Sequence, residues 1–150
     1  MTTILSLDLG TTTGWAVSTD GHIYSGTECF NHDRYSGGGM RFLRFRKWLD
    51  EIKALNHGLD EVYFEEVRRH RGTDAAHVYG GFMGHLTAWC EQHEIPYRGI
   101  PVGTIKRFMT GNGSSNKDAM IEAVKAKGHQ PKDDNEADAL ALLYWRLDNN

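Results

Sequence analysis

The run Ile4-Leu5-Ser6-Leu7-Asp8-Leu9 places a carboxylate near the end of a segment apolar enough to form a central strand. Gly10-Thr11-Thr12-Thr13-Gly14 then turns the chain into a second apolar run, Trp15-Ala16-Val17. Burying a carboxylate is costly unless it is paired, and a strand core tolerates one when it binds a metal or does chemistry. Any fold for this chain therefore has to bring partners to Asp8.

The 150 residues are enough to close one proper core, which predicts a single domain over 1–150. With 39% hydrophobic and 25% charged residues, the composition is that of a globular protein in water. No apolar stretch approaches a membrane span and no basic leader precedes the first strand, so neither an anchor nor a secretory signal is expected. Cys29 and Cys90 lack CxxC spacing and suit reduced thiols in a cytoplasmic protein. The net charge of −3 argues against a basic coat for nucleic acid, yet the positive charge is grouped. Arg41, Arg44, Arg46 and Lys47 form one group, Arg68, Arg69 and Arg71 a second, Lys106 and Arg107 a third. A metal-dependent nuclease distributes charge in this way, with acids in the site and bases around it; solvated helix faces do so too.

Apolar periodicity predicts strands over Ile4–Leu9, Gly14–Ser18 and His22–Phe30, with Asp20-Gly21 as a hairpin turn. A helix is expected from Met40 to Leu55, where Phe42, Phe45, Trp48, Leu49 and Ile52 recur at helical spacing. A strand over Asp60–Val67 follows, then a long helix capped by Thr73 or Asp74 and running to His93, and a strand over Ile95–Ile100. Helices over Val102–Met109 and Asn116–Lys127 precede a last helix that starts near Asp134 and runs through Leu147. Antiparallel strands followed by alternating helices and strands predict an α/β domain with a five-stranded mixed sheet flanked by helices.

The acids fall where such a fold can gather them. Asp8 ends the first strand, Glu65 and Glu66 the fourth, and Asp134, Asn135 and Asp138 lie along the last helix. Residues three or four apart on a helix share a face, so Asp134 or Asn135 can stand beside Asp138. Of Glu65 and Glu66 only one can face the site, because successive strand residues point in opposite directions. Asp134 is equally suited to capping the helix. If the first and fourth strands are parallel neighbours, their acidic ends meet at one sheet edge. Oxygen ligands of this kind suit Mg²⁺ or Mn²⁺ rather than zinc. Two such ions about 3.5–4 Å apart activate water and stabilise a leaving alkoxide in phosphodiester hydrolysis.

Leu7-Asp8-Leu9-Gly10 with Gly14-Trp15-Ala16-Val17, then Phe64-Glu65-Glu66-Val67, then Glu136-Ala137-Asp138-Ala139-Leu140-Ala141 follow one another in an order and spacing that resembles the RuvC-type Holliday junction resolvases, most closely their compact phage-type members. The resemblance covers nearly the whole chain. It implies an RNase H-like fold, a homodimer, and paired Mg²⁺-dependent nicks in four-way DNA junctions. By position it implies that Asp8, Glu65 and Asp138 are catalytic acids and metal ligands. It also implies that Lys106 and Lys117 are the basic residues near the scissile phosphate. A further acid of the family falls at Asn135, where an amide oxygen can ligate but brings no charge; Asp134, one residue earlier, could replace it.

Arg68, Arg69 and Arg71 follow Glu65 closely enough to sit at the rim of the site and hold flanking phosphates, as could Lys106, Arg107 and Lys117. Arg41 and Arg44, at the start of the second-longest helix, are a further candidate DNA surface, and Tyr35 with the tri-glycine stretch a candidate element that orders on a junction. His70 could act as a base or be plain surface. Gly80, Gly81 and Gly84 weaken the long helix unless another backbone approaches closely, either a second subunit's helix or this chain's own sheet. Two rival classes share parts of the pattern. Asp8-Leu9-Gly10-Thr11-Thr12 also resembles the ATP-binding sugar kinase, actin and Hsp70 superfamily, and Asn135 is compatible with a non-catalytic junction-binding protein or a YqgF-like RNA-processing relative.

Overall fold

The computed structural model describes residues 2–31 and 34–149; residues 1, 32, 33 and 150 lie outside the described residues. Strands β1 (Ile4–Asp8), β2 (Thr12–Thr19) and β3 (His22–Cys29) form an antiparallel meander. Helix α1 (Met40–Leu55) returns the chain to β4 (Glu61–Glu66), which pairs with β1 in parallel. Helix α2 (Thr73–Gln92) leads to β5 (Tyr97–Pro101), parallel to β4, and α3 (Val102–Thr110), α4 (Lys117–Lys125) and α5 (Asp134–Asp148) follow. The sheet order is β3-β2-β1-β4-β5, the expected mixed five-stranded sheet. Among the described residues no helix is long and apolar enough to cross a membrane.

Period-two alternation decides what each strand offers to each face. Leu5 and Leu7 of β1, with Val62 and Phe64 of β4, pack under α1 and α2 against Phe45, Leu49, Phe82 and Leu86. Ile4 and Ser6 point to the opposite face, where α3, α4 and α5 bring Ile105, Met120, Val124 and Leu140. By the same alternation Asp8 and Glu65 belong to the α5 face, whereas Glu66 belongs with Phe64.

Three local expectations are corrected. The second strand begins at Thr12 rather than Gly14, because Thr12 and Thr13 find antiparallel partners in Cys29 and Glu28. Neither Thr73 nor Asp74 caps α2: Gly72 stands at the cap position with no side-chain bond, and both are already in the first turn. Asp134 does not cap α5. Asp133 does, accepting the Glu136 N–H at 2.9 Å, so Asp134 is the first helical residue.

Candidate metal centre and nucleic-acid interface

Parallel pairing runs from Ile4↔Glu61 to Leu7↔Phe64, and one further step sets Asp8 beside Glu65 at a common strand end. Helix α5 then crosses this edge and is fixed at three points. Its start rests on β2, because Gly14 presents bare backbone to the carbonyl of Asn135; a Cβ there would fall well under the 3.0 Å limit of real contacts. Its middle is held by the buried Ser6 hydroxyl, which donates to the Ala139 carbonyl at 2.7 Å. Its end is tied to β4 by Arg146, whose guanidinium grips both Glu61 carboxylate oxygens at 2.9 Å and touches the Tyr63 hydroxyl at 3.0 Å. Such a two-pronged pair fixes direction as well as distance.

This placement delivers Asp138 to the strand ends. Carboxylate oxygens of Asp8, Glu65 and Asp138 lie within 4.8 Å of one another, and each residue is partly buried. Burial raises the Asp8 carboxyl well above the usual range, and repulsion from Glu65, then Asp138, Asp134 and Asp133, raises it further. Burial and Asp138 push Glu65 up to about 8, against the pull of Lys106. Asp138 rises to about 7 through burial and the neighbouring Asp134, partly offset by Lys106 and Lys117. Three crowded carboxylates held above their ordinary pKa form a site with a charge deficit, which a divalent cation with oxygen preference fits.

The remaining candidates sort by position. Glu66 faces away from the cluster and pairs with Arg68 at 3.3 Å, as one of the two glutamates had to. Asp134 stands close enough to raise Asp138 and makes an ion pair with Lys117 at 3.4 Å. Asn135 sits at the Gly14 contact, one helical turn before Asp138. Lys106 on α3 acts on both Glu65 and Asp138, and Lys117 opens α4 behind its Asn116 cap. Arg68, Arg69 and Arg71 are exposed on the loop after β4, and a groove of about 520 Å³ runs from Glu65 and Glu66 past Arg68 and Arg69 to Pro101 and Val102. Arg107 is exposed on α3. Arg41 and Arg44 are engaged inside the chain: Arg41 donates to the Phe30 carbonyl at 3.1 Å, and Arg44 to the Asn31 carbonyl and the Ser36 hydroxyl. They brace the segment leading into α1. Tyr35 is 88% exposed, and His70 lies against the Tyr79 ring.

Several supporting residues escape a reading of sequence. Glu136 is buried in the first turn of α5, where it accepts the Ser25 hydroxyl at 2.7 Å and the Lys132 N–H at 2.8 Å. The Asp133-x-x-Glu136 spacing of a capping box is a signal that could have revealed this end. Gly14 and Ser6 carry no local signal for their contacts with α5. Of the α2 glycines, Gly81 packs against the Phe42 ring of α1, not the sheet, while Gly80 and Gly84 face open space.

A crossover junction endodeoxyribonuclease, RuvC of Halorhodospira halophila, is 32% identical over 149 residues, which span 94% of this chain and 87% of that relative. The chain belongs to the RuvC family. The structure of Thermus thermophilus RuvC solved with a Holliday junction substrate superposes with a TM-score of 0.80 at 20% identity, covering 99% of this chain and 97% of that one. The yeast mitochondrial Holliday junction resolvase Ydc2 follows at 0.64 and 11% identity, over 97% of this chain and 79% of that one. These likenesses establish the RNase H-like fold of RuvC for this chain. No protein-family model matches it.

Proposed function

We propose that this RuvC-family chain is a metal-dependent endodeoxyribonuclease that resolves four-way DNA junctions, with Asp8, Glu65 and Asp138 as its metal-binding catalytic acids. The observation that carries the reading is the meeting of these three carboxylates at the ends of β1 and β4, beneath a helix fixed at three points. Family membership supports the substrate class.

Mg²⁺ is the natural occupant, with Mn²⁺ as a substitute. Bound there as a pair in the sense of the two-metal hydrolases, such ions would lower the pKa of water and neutralise charge on the leaving oxygen. Asp134 or Asn135 completes the ligand set. Lys106 and Lys117 stand where they can hold the phosphate under attack and share its developing charge. The arginines at 68, 69 and 71, with Arg107, grip flanking phosphates, so affinity should decline steeply with salt. Arg41 and Arg44 act on DNA through the segment they brace. Two copies joined through the exposed small-residue side of α2, around Gly80 and Gly84, would present two sites to one junction.

The test is cleavage of a synthetic four-way junction in Mg²⁺ against linear duplex and EDTA controls. Paired symmetric nicks support the reading; binding of the junction without any cleavage in Mg²⁺ or Mn²⁺ overturns it.

A further inference from the structure

Tyr79 of α2 is buried, at 8% exposure, and its hydroxyl meets the end of β4. It donates to the Glu65 carbonyl at 2.8 Å and accepts the Val67 N–H at 3.1 Å. The position of these two backbone groups explains why a side chain is needed there. Along β4 the backbone alternates between its two neighbours: the Glu61 N–H goes to Thr3 on the β1 side, the Val62 N–H to Pro96 on the β5 side. Odd-numbered residues therefore face β1. That pairing ends at Leu7↔Phe64, because β1 stops at Asp8 and turns away. The Glu65 carbonyl and the Val67 N–H are thus the next rung of a ladder whose other upright is missing. One tyrosine oxygen supplies both halves of that rung, and buried backbone groups left without partners are strongly disfavoured.

The ring of the same residue has a second contact. His70, in the middle of the arginine loop, lies 4.9 Å from it between ring centroids. The phenol and its ring therefore join the strand that carries one catalytic acid to the loop that carries three arginines. We propose that Tyr79 is a positioning residue: its hydroxyl keeps β4 extended through Glu65, so that this carboxylate meets Asp8 and Asp138, and its ring seats the loop of Arg68, Arg69 and Arg71. The inference rests on the functional reading above both for the metal at the three acids and for its link to cleavage.

The experiment compares the wild-type chain with Tyr79→Phe, which keeps the ring and removes only the hydroxyl. Four readouts are taken: Mn²⁺ affinity by calorimetry without DNA, single-turnover junction cleavage across a Mg²⁺ titration, junction affinity in Ca²⁺, and the melting temperature in EDTA. Outer supports of metal ligands typically contribute 10–100-fold in affinity or activity, so Mn²⁺ binding is expected to weaken by about tenfold. Cleavage should fall by a similar factor at low Mg²⁺ and recover in part at high Mg²⁺, with junction affinity within about twofold of wild type since the ring is kept. Phe82→Leu, a core change on the same helix that leaves the β4 end untouched, calibrates general loosening. Unchanged Mn²⁺ affinity in Tyr79→Phe overturns the proposal. So does an equal loss of Mn²⁺ affinity in Phe82→Leu at matched melting temperature. If the wild type binds Mn²⁺ but cuts no junction, the functional reading fails while the calorimetric comparison still decides the role of Tyr79.

Discussion

Gly14 of β2 and Asn135 of α5 meet backbone to backbone, with no room for a single methyl group between them. Gly14 is also the residue paired with Asp8 across the β1–β2 ladder. The absent side chain thus sets how near α5 comes to the strand that carries the central acid, and with it the reach of Asp138. Gly14→Ala should force α5 outward, lower stability by about 1–3 kcal/mol as overpacking does, and reduce cleavage by at least about tenfold. Gly10→Ala, in the turn just before β2 and with its nearest neighbour at an ordinary 3.7 Å, should stay within about 0.5 kcal/mol of wild type. Urea unfolding and junction cleavage on both variants check the contrast; equal behaviour would refute it.

Asp8→Asn and Glu65→Gln should abolish cleavage and leave junction binding largely intact. Each also removes one charge from a mutually repelling set, so in EDTA both variants should melt above the wild type, and added Mg²⁺ should narrow that gap. Thermal melts with and without metal test this. A variant that cuts at a near wild-type rate would remove its residue from the site.

The pH dependence of the metal-free protein has a definite sign. Glu65 and Asp138 are raised in the folded state to about 8 and about 7, and Asp8 is raised as well. The folded state therefore binds protons more tightly than the unfolded chain, whose carboxyls titrate near pH 4. Their contribution is fully present below that point and is lost as pH rises through about 7 to 8. Glu61 has the opposite sign: its hydrogen bonds to Arg146 lower it, so its stabilisation is lost on acidification. Metal-free stability should consequently fall between pH 5 and pH 8, and Asp138→Asn should flatten that slope. Denaturant midpoints in EDTA across this range provide the measurement, and a flat wild-type profile would contradict it.

Adjacent aspartates at the start of α5 should separate cleanly. Asp133→Ala removes the cap and is expected to cost about 0.5–2 kcal/mol. Asp134→Asn leaves the cap in place, so stability should barely change, while the Mg²⁺ concentration for half-maximal cleavage rises several-fold if this carboxylate completes the ligand set. Full activity at wild-type Mg²⁺ in Asp134→Asn would leave Asn135 or water as that ligand.

What could be read from the chain beforehand was whatever is local or periodic. Leu5 and Leu7 against Ser6 and Asp8, and Val62 and Phe64 against Glu65, already encode which strand residues share a face. The helical repeat of Phe45, Trp48, Leu49 and Ile52 encodes α1. The choice of Glu65 over Glu66 followed from family spacing, and the alternation along β4 gives it a physical cause. Contacts distant in sequence stayed hidden. Nothing near Gly14 announces Asn135, nothing near Ser6 announces Ala139, and nothing near Tyr79 announces that a strand neighbour is missing at Glu65. Capping was misplaced by a single residue because Asp133 and Asp134 have the same chemistry, and only backbone geometry distinguishes them.

The parallel pairing of β1 with β4, completed by the last helix, has a bearing on synthesis. Its three acids come from β1, β4 and α5, far apart in sequence. A nascent chain on the ribosome holds at most two of them until α5 has emerged, and domains in general fold only once their closing elements are available. The three carboxylates therefore cannot meet until α5 has been made, and a chain cut short before α5 cannot form the cluster.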